Sequence, residues 1–129
     1  MKSNKIFIAM AIMLATVLGM QQLMAADGVD VKQAQIMNQQ GALLLDVREP
    51  EEYSAAHAPN AKLIPLGQIN SRLNELEAYK DKPIVVMCRS GRRSAQAVAI
   101  LQDAGYTRVS NVKGGITAWE SDGLEVIKM

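Results

Sequence analysis

Ile84-Val85-Val86-Met87 is apolar at every position. A strand with one wet face alternates in polarity, whereas one that does not alternate is covered on both faces. This run therefore predicts the central strand of a sheet with layers on either side. It leads straight into Cys88, the only cysteine among 129 residues. The stretch Cys88-Arg89-Ser90-Gly91-Arg92-Arg93-Ser94 that follows holds three arginines and no acid.

The remaining segments alternate between helical and extended patterns. Asp30 is placed to cap a short helix over Val31 to about Gln39, which ends before Gly41. Leu43 to Val47 has the length of a strand, and Pro50 with Glu51 and Glu52 reads as the first turn of a helix reaching about Ala56. A turn at His57-Ala58-Pro59-Asn60 leads to a second strand over Ala61 to Ile64. Ile69, Leu73 and Leu76 recur at helical spacing, as do Ala97, Ile100, Leu101 and Ala104 in a helix expected from Ser94 to Ala104. Arg108 to Asn111 predicts a fourth strand, and Gly115 to Ser121 a closing helix with Ile116 and Trp119 on one side. This order specifies an α/β domain, a small parallel sheet with helices on both faces. Ligands of such sheets bind beyond the carboxyl ends of the strands, where Cys88 falls.

The first 26 residues stand apart. Lys2 and Lys5 precede an apolar or small-residue stretch from Ile6 to Met20, and Leu23-Met24-Ala25-Ala26 offers a cleavage site. The apolar stretch is short for a spanning helix, so a secretory signal cut after Ala25 or Ala26 is expected. A retained anchor is the alternative. Export implies a periplasmic or otherwise extracytoplasmic domain over residues 27–129, with no stable membrane association after cleavage. Without Lys2 and Lys5, 12 basic residues face 13 acidic ones, a balance that argues against nucleic acid as a partner. A lone thiol in an oxidising compartment is either buried and inert or present for its reactivity.

A free thiol with a pKa of about 8.5 is mostly protonated at neutral pH. Arg89, Arg92 and Arg93 add positive charge, and the N–H groups of Ser90 to Ser94 are placed to form an anion-binding nest at the start of a helix. Gly91 relieves the backbone cost of such a nest. Cys88 is thus the candidate nucleophile, with Arg89, Ser90, Gly91, Arg92, Arg93 and Ser94 as its anion cradle.

The same stretch resembles the active-site loop of single-domain rhodaneses, C-x-x-G-x-R-[ST]. Three further segments are similar to motifs of that family, in the family's order. These are Asp46-Val47-Arg48-Glu49-Pro50-Glu51-Glu52-Tyr53, His57-Ala58-Pro59-Asn60-Ala61, and Val112-Lys113-Gly114-Gly115-Ile116-Thr117-Ala118-Trp119. Together they cover about Val31 to Gly123. The first has one residue fewer between Arg48 and the second glutamate, and Ala56, Ala58 and Asn60 replace the usual Gly, Ile and Gly. The small exported members of the phage-shock type match the leader. The resemblance implies a thiosulfate sulfurtransferase that works through a Cys88 persulfide. Its partners would be a small anionic sulfur donor, thiosulfate or a persulfide donor, and a thiophilic acceptor, cyanide or a thiol. It implies no cofactor and no metal, and the default state is a monomer. By the same resemblance Arg93 closes the loop, while Arg89 and Arg92 attract the donor.

Cysteine phosphatases and arsenate reductases use a loop with one more residue between cysteine and arginine. The four residues between Cys88 and Arg93 favour sulfur over tetrahedral phosphate. A sulfur carrier that serves one protein partner needs the same thiolate and stays open as an alternative. Asp46 and Arg48, at the carboxyl end of their strand, are expected to brace neighbouring loops. His57 reads as structural, Trp119 as a core anchor, and Glu49, Glu51 and Glu52 as a solvated helix start.

Overall fold

A computed structural model describes residues 28–129, and the expected leader lies outside them. Helix α1 (Val31–Gln39), strand β1 (Leu43–Asp46), helix α2 (Pro50–Ala55) and strand β2 (Lys62–Leu63) come first. Two 3-10 segments (Leu66–Gln68 and Asn70–Tyr79), strand β3 (Ile84–Met87), helix α3 (Arg92–Asp103), strand β4 (Val109–Asn111) and helix α4 (Gly115–Ser121) complete the order. The four strands form one parallel sheet in the order β2-β1-β3-β4. The uniformly apolar run is an inner strand, as expected, and all four of its residues are buried.

Alternation along the inner strands divides the core into two layers. Leu43, Leu45, Val47, Ile84, Val86 and Cys88 face one side with Ala97 and Leu101 of α3 and with Ile69 and Leu76 of the 3-10 region. Leu44, Val85 and Met87 face the other with Val31 and Ala34 of α1 and Ile116 and Trp119 of α4. Each large aliphatic side chain so covered contributes about 1.5–3 kcal/mol. Trp119 anchors α4 as expected, and its Nε1 donates to the Glu125 carbonyl at 2.8 Å. The Asp30 side chain accepts from the Gln33 N–H at 2.7 Å and caps α1.

Two local expectations are corrected. The Ile69–Leu73–Leu76 stripe does bury one side, but its backbone is 3-10 and breaks at Arg72 (φ −121°, ψ 19°). Apolar spacing of three and four residues fits both helix types over so short a length, so the stripe identified the buried face and not the hydrogen-bond pattern. Helix α3 begins at Arg92, two residues before Ser94, so its first turn lies inside the cysteine loop. Asn60, which stands where the family pattern has glycine, takes the left-handed conformation (φ 66°) that asparagine tolerates better than most residues.

At the carboxyl end of β1, Asp46 and Arg48 form a buried ion pair at 2.7 Å. The Arg48 guanidinium also donates to the Glu52 carbonyl (3.3 Å) and the Ala56 carbonyl (2.7 Å). It thereby satisfies the carbonyls at the end of α2 and fixes that short helix against the sheet. These contacts run to the end of α2, where both residues were expected to brace neighbouring loops. Arg48→Ala would strand a buried carboxylate, and the expected loss is about 3–5 kcal/mol in urea unfolding.

Candidate active site

Strands β1, β3 and β4 bring Asp46, Cys88 and Asn111 to the same edge of the sheet. Asp46 pairs in register with Met87, and Val86 with Asn111. Cys88 is 1% exposed, and the loop after it folds over its sulfur. The Gly91 N–H donates to Sγ at 3.0 Å, and the Ser94 hydroxyl lies 3.3 Å from it. Burial pushes the Cys88 thiol up; the N–H groups of Ser94, Gly91 and Ser90, together with the Ser94 hydroxyl when its hydrogen points at Sγ, more than offset this, leaving it below the usual thiol value.

Of the N–H groups expected to form a nest, those of Ser90, Gly91 and Ser94 meet the sulfur, and the origin of this arrangement lies elsewhere in the chain. The Cys88 carbonyl accepts from the Ile116 N–H at 2.9 Å, and the Arg89 carbonyl from the Thr117 N–H at 3.2 Å. These two donors belong to the first turn of α4, which has no intrahelical acceptors for them. With the carbonyls drawn toward α4, the N–H groups that follow are free to turn to the sulfur. Gly115 makes the approach possible. Its φ is +54°, and a side chain there would run into the Cys88 and Arg89 carbonyls. Gly91, at φ +112°, supplies the left-handed turn that reverses the loop into α3.

The three arginines separate into two roles. Arg93 forms a bidentate ion pair with Glu52 at 2.6 and 2.8 Å. Glu52 also accepts from the Glu49 N–H at 3.1 Å, so α2 and α3 are clamped across the loop. Glu52 is thus a half-buried partner of the loop and not part of a solvated helix start. The Arg93 hydrogen bond is the main reason its carboxyl is held at about 2 against an ordinary 4.5. The clamp is therefore complete above pH 4.5 and is lost only as the pH falls towards 2. Arg93 also feels the charge of Cys88, but its bond to Glu52 is the stronger influence. The acidity of the thiol thus rests chiefly on hydrogen bonds, where sequence reasoning emphasised arginine charge.

Arg89 and Arg92 are exposed and make no ion pair among the described residues. Arg89 borders an open cleft of about 500 Å³ whose walls include Arg48, Glu52, Ile116, Thr117 and Glu120. Ser94 is buried beside Sγ, and Ser90 is exposed at the loop surface. His57 stacks on the Tyr53 ring and shares a 2.8 Å hydrogen bond between Nδ1 and the Tyr53 carbonyl. Its backbone bridges to Ile127, so its contacts are structural. Sequence reasoning missed Asn111. Its Oδ1 accepts from the Ser94 hydroxyl at 2.6 Å, and its Nδ2 donates to the Gly91 carbonyl at 3.1 Å. A polar residue ending an otherwise buried strand was the available signal.

Comparison with known proteins agrees with this geometry. Residues 30–122 match the family model of the rhodanese-like domain. The chain is 44% identical over 85 residues to a sulfurtransferase of Allochromatium vinosum, an alignment covering 66% of this chain and 78% of that one. It is 36% identical over 90 residues to the thiosulfate sulfurtransferase GlpE of Pseudomonas syringae, covering 70% and 83%. Other relatives are longer, and the chain spans 60% and 40% of two from Bacillus subtilis. Among solved structures, a rhodanese-related protein from Thermoplasma volcanium superimposes with a TM-score of 0.70 at 32% identity, covering 78% of this chain and 97% of that one. The parallel sheet, the cysteine loop at its carboxyl edge and the match over nearly all the described residues place this chain in the rhodanese-like domain family of sulfurtransferases.

Proposed function

We propose that the protein moves sulfane sulfur from thiosulfate to a thiophilic acceptor through a persulfide on Cys88. The observation that carries this reading is a buried thiol whose sulfur is met by loop N–H donors, with Arg89 and Arg92 outside and in no ion pair among the described residues. The donors favour the thiolate, which attacks the outer sulfur of thiosulfate. As the new S–S bond forms, the old one breaks and sulfite leaves with its electron pair. The loop N–H groups then hold the negative terminal sulfur of the persulfide. Cyanide or a thiolate attacks that sulfur next, and Cys88 departs as thiolate, ready for another cycle. No electron is gained or lost overall.

Arg89 and Arg92 serve the approach of the dianionic donor, because Arg93 is committed to Glu52. An exported, periplasmic location for residues 27–129, behind a cleaved leader, completes the proposal. There the persulfide would be the working state of a thiol in an oxidising setting.

Two measurements test this function. Mass spectrometry after exposure to thiosulfate should find one added sulfur on the wild type and none on Cys88→Ser. An unmodified wild-type protein would overturn the mechanism. The same spectrum reads the mature amino terminus. If sulfur exchange with a partner protein were fast while turnover of thiosulfate and cyanide was negligible, the carrier role would replace the enzyme. In steady-state assays, Arg89→Ala and Arg92→Ala should each raise the thiosulfate KM by roughly 3–10-fold at low salt and change kcat less, with the difference shrinking as salt is added. Unchanged KM values would remove both from donor binding.

A further inference from the structure

Ser94 has one hydroxyl hydrogen and two acceptors within reach. Its Oγ stands 2.6 Å from Asn111 Oδ1 and 3.3 Å from Cys88 Sγ. The orientation of the Asn111 amide is fixed independently. The Gly91 carbonyl can only accept, so the group 3.1 Å from it must be the Asn111 NH₂. Oδ1 therefore faces Ser94, and it too can only accept. Two oxygens at that separation require a hydrogen between them, and only Ser94 can provide it.

We infer that Asn111 is a positioning residue that draws the Ser94 hydroxyl hydrogen toward itself and so withholds a donor from the Cys88 sulfur. With the hydrogen on the Asn111 side, Ser94 presents lone pairs to Sγ. That arrangement suits an S–H that donates to Ser94 and opposes the thiolate. Turning the hydroxyl to the sulfur would leave the Ser94 and Asn111 oxygens in contact with no hydrogen between them. The backbone N–H groups thus carry the thiolate, and Asn111 limits the share that Ser94 adds. The consequence for a sulfur-handling loop is a nucleophile less acidic than its cradle alone would make it. A less acidic thiol is intrinsically the more nucleophilic one once ionised.

The charged groups around Cys88 are Arg89 in the loop, Arg92 and Arg93 of α3, and Glu52 of α2 held by Arg93. The Asp46–Arg48 pair stands at the end of β1, and Glu120 lies on α4 beside the cleft. Strand β4 brings no ionisable side chain, so replacing Asn111 changes no charge in the set.

This role rests on Cys88 being the nucleophile, but not on thiosulfate being its substrate. The rate of alkylation by iodoacetamide as a function of pH reads the ionisation of Cys88 alone. Asn111→Ala should move the midpoint of that profile down by about one pH unit, the worth of one hydrogen bond to a charged group. In a Ser94→Ala background the same substitution should leave the midpoint where Ser94→Ala puts it. Asn111→Leu, closer in volume, gives the same contrast should the alanine variant not fold. A midpoint that stays or rises in Asn111→Ala, or falls equally in both backgrounds, would overturn the role. Sulfur uptake from thiosulfate is scored separately by mass, so either reading can fail without the other.

Discussion

The site depends on two hydrogen bonds between backbone groups far apart in sequence. The first turn of α4 has N–H groups with no partner in their own helix, and the loop after β3 has carbonyls that would otherwise crowd the sulfur. Each satisfies the other. Once the Cys88 and Arg89 carbonyls are held by Ile116 and Thr117, the following peptide planes present their N–H groups to Sγ. A glycine at position 115 is what lets the two backbones approach so closely. Gly115, the first residue of α4, therefore shapes the surroundings of Cys88 although it carries no side chain.

Around that contact the molecule holds its loop from three directions. Trp119 fixes α4 to the core, so the donors do not drift. The Arg93–Glu52 pair ties α3 to α2, and Arg48 in turn holds the end of α2 on the sheet through its carbonyls. Asn111 joins β4 to both the loop backbone and Ser94. The outcome is a ring of fixed donors around a buried sulfur, with Arg89 and Arg92 exposed on the outside. Stabilisation of an anion by fixed dipoles needs such rigidity, since donors already in place need no reorganisation when the charge appears.

Much of this was legible in the residues. The unbroken apolar run Ile84–Met87 specified a strand covered on both faces, and the alternation of short elements specified a parallel sheet. Cys88 followed by arginines and glycine marked the site. The places where reading by sequence went astray share a cause. Glu52 looked solvated because its partner, Arg93, lies 41 residues away. Asn111 went unnoticed because its partners belong to another element. Arginine charge was given the leading part in the acidity of the thiol because charge is visible in a sequence and backbone direction is not.

The sequence by itself determined the layers of the fold, the central strand, the position of Cys88 at its end and the composition of the loop that follows. Each of these follows from local periodicity or from which residue types stand together. Only the tertiary structure decided which way the loop carbonyls point, which arginine is neutralised and which acceptor takes the Ser94 hydrogen. Those outcomes are contacts between elements distant along the chain, set by sheet register and helix docking, and a hydrogen bond is specified by direction as well as by its partners.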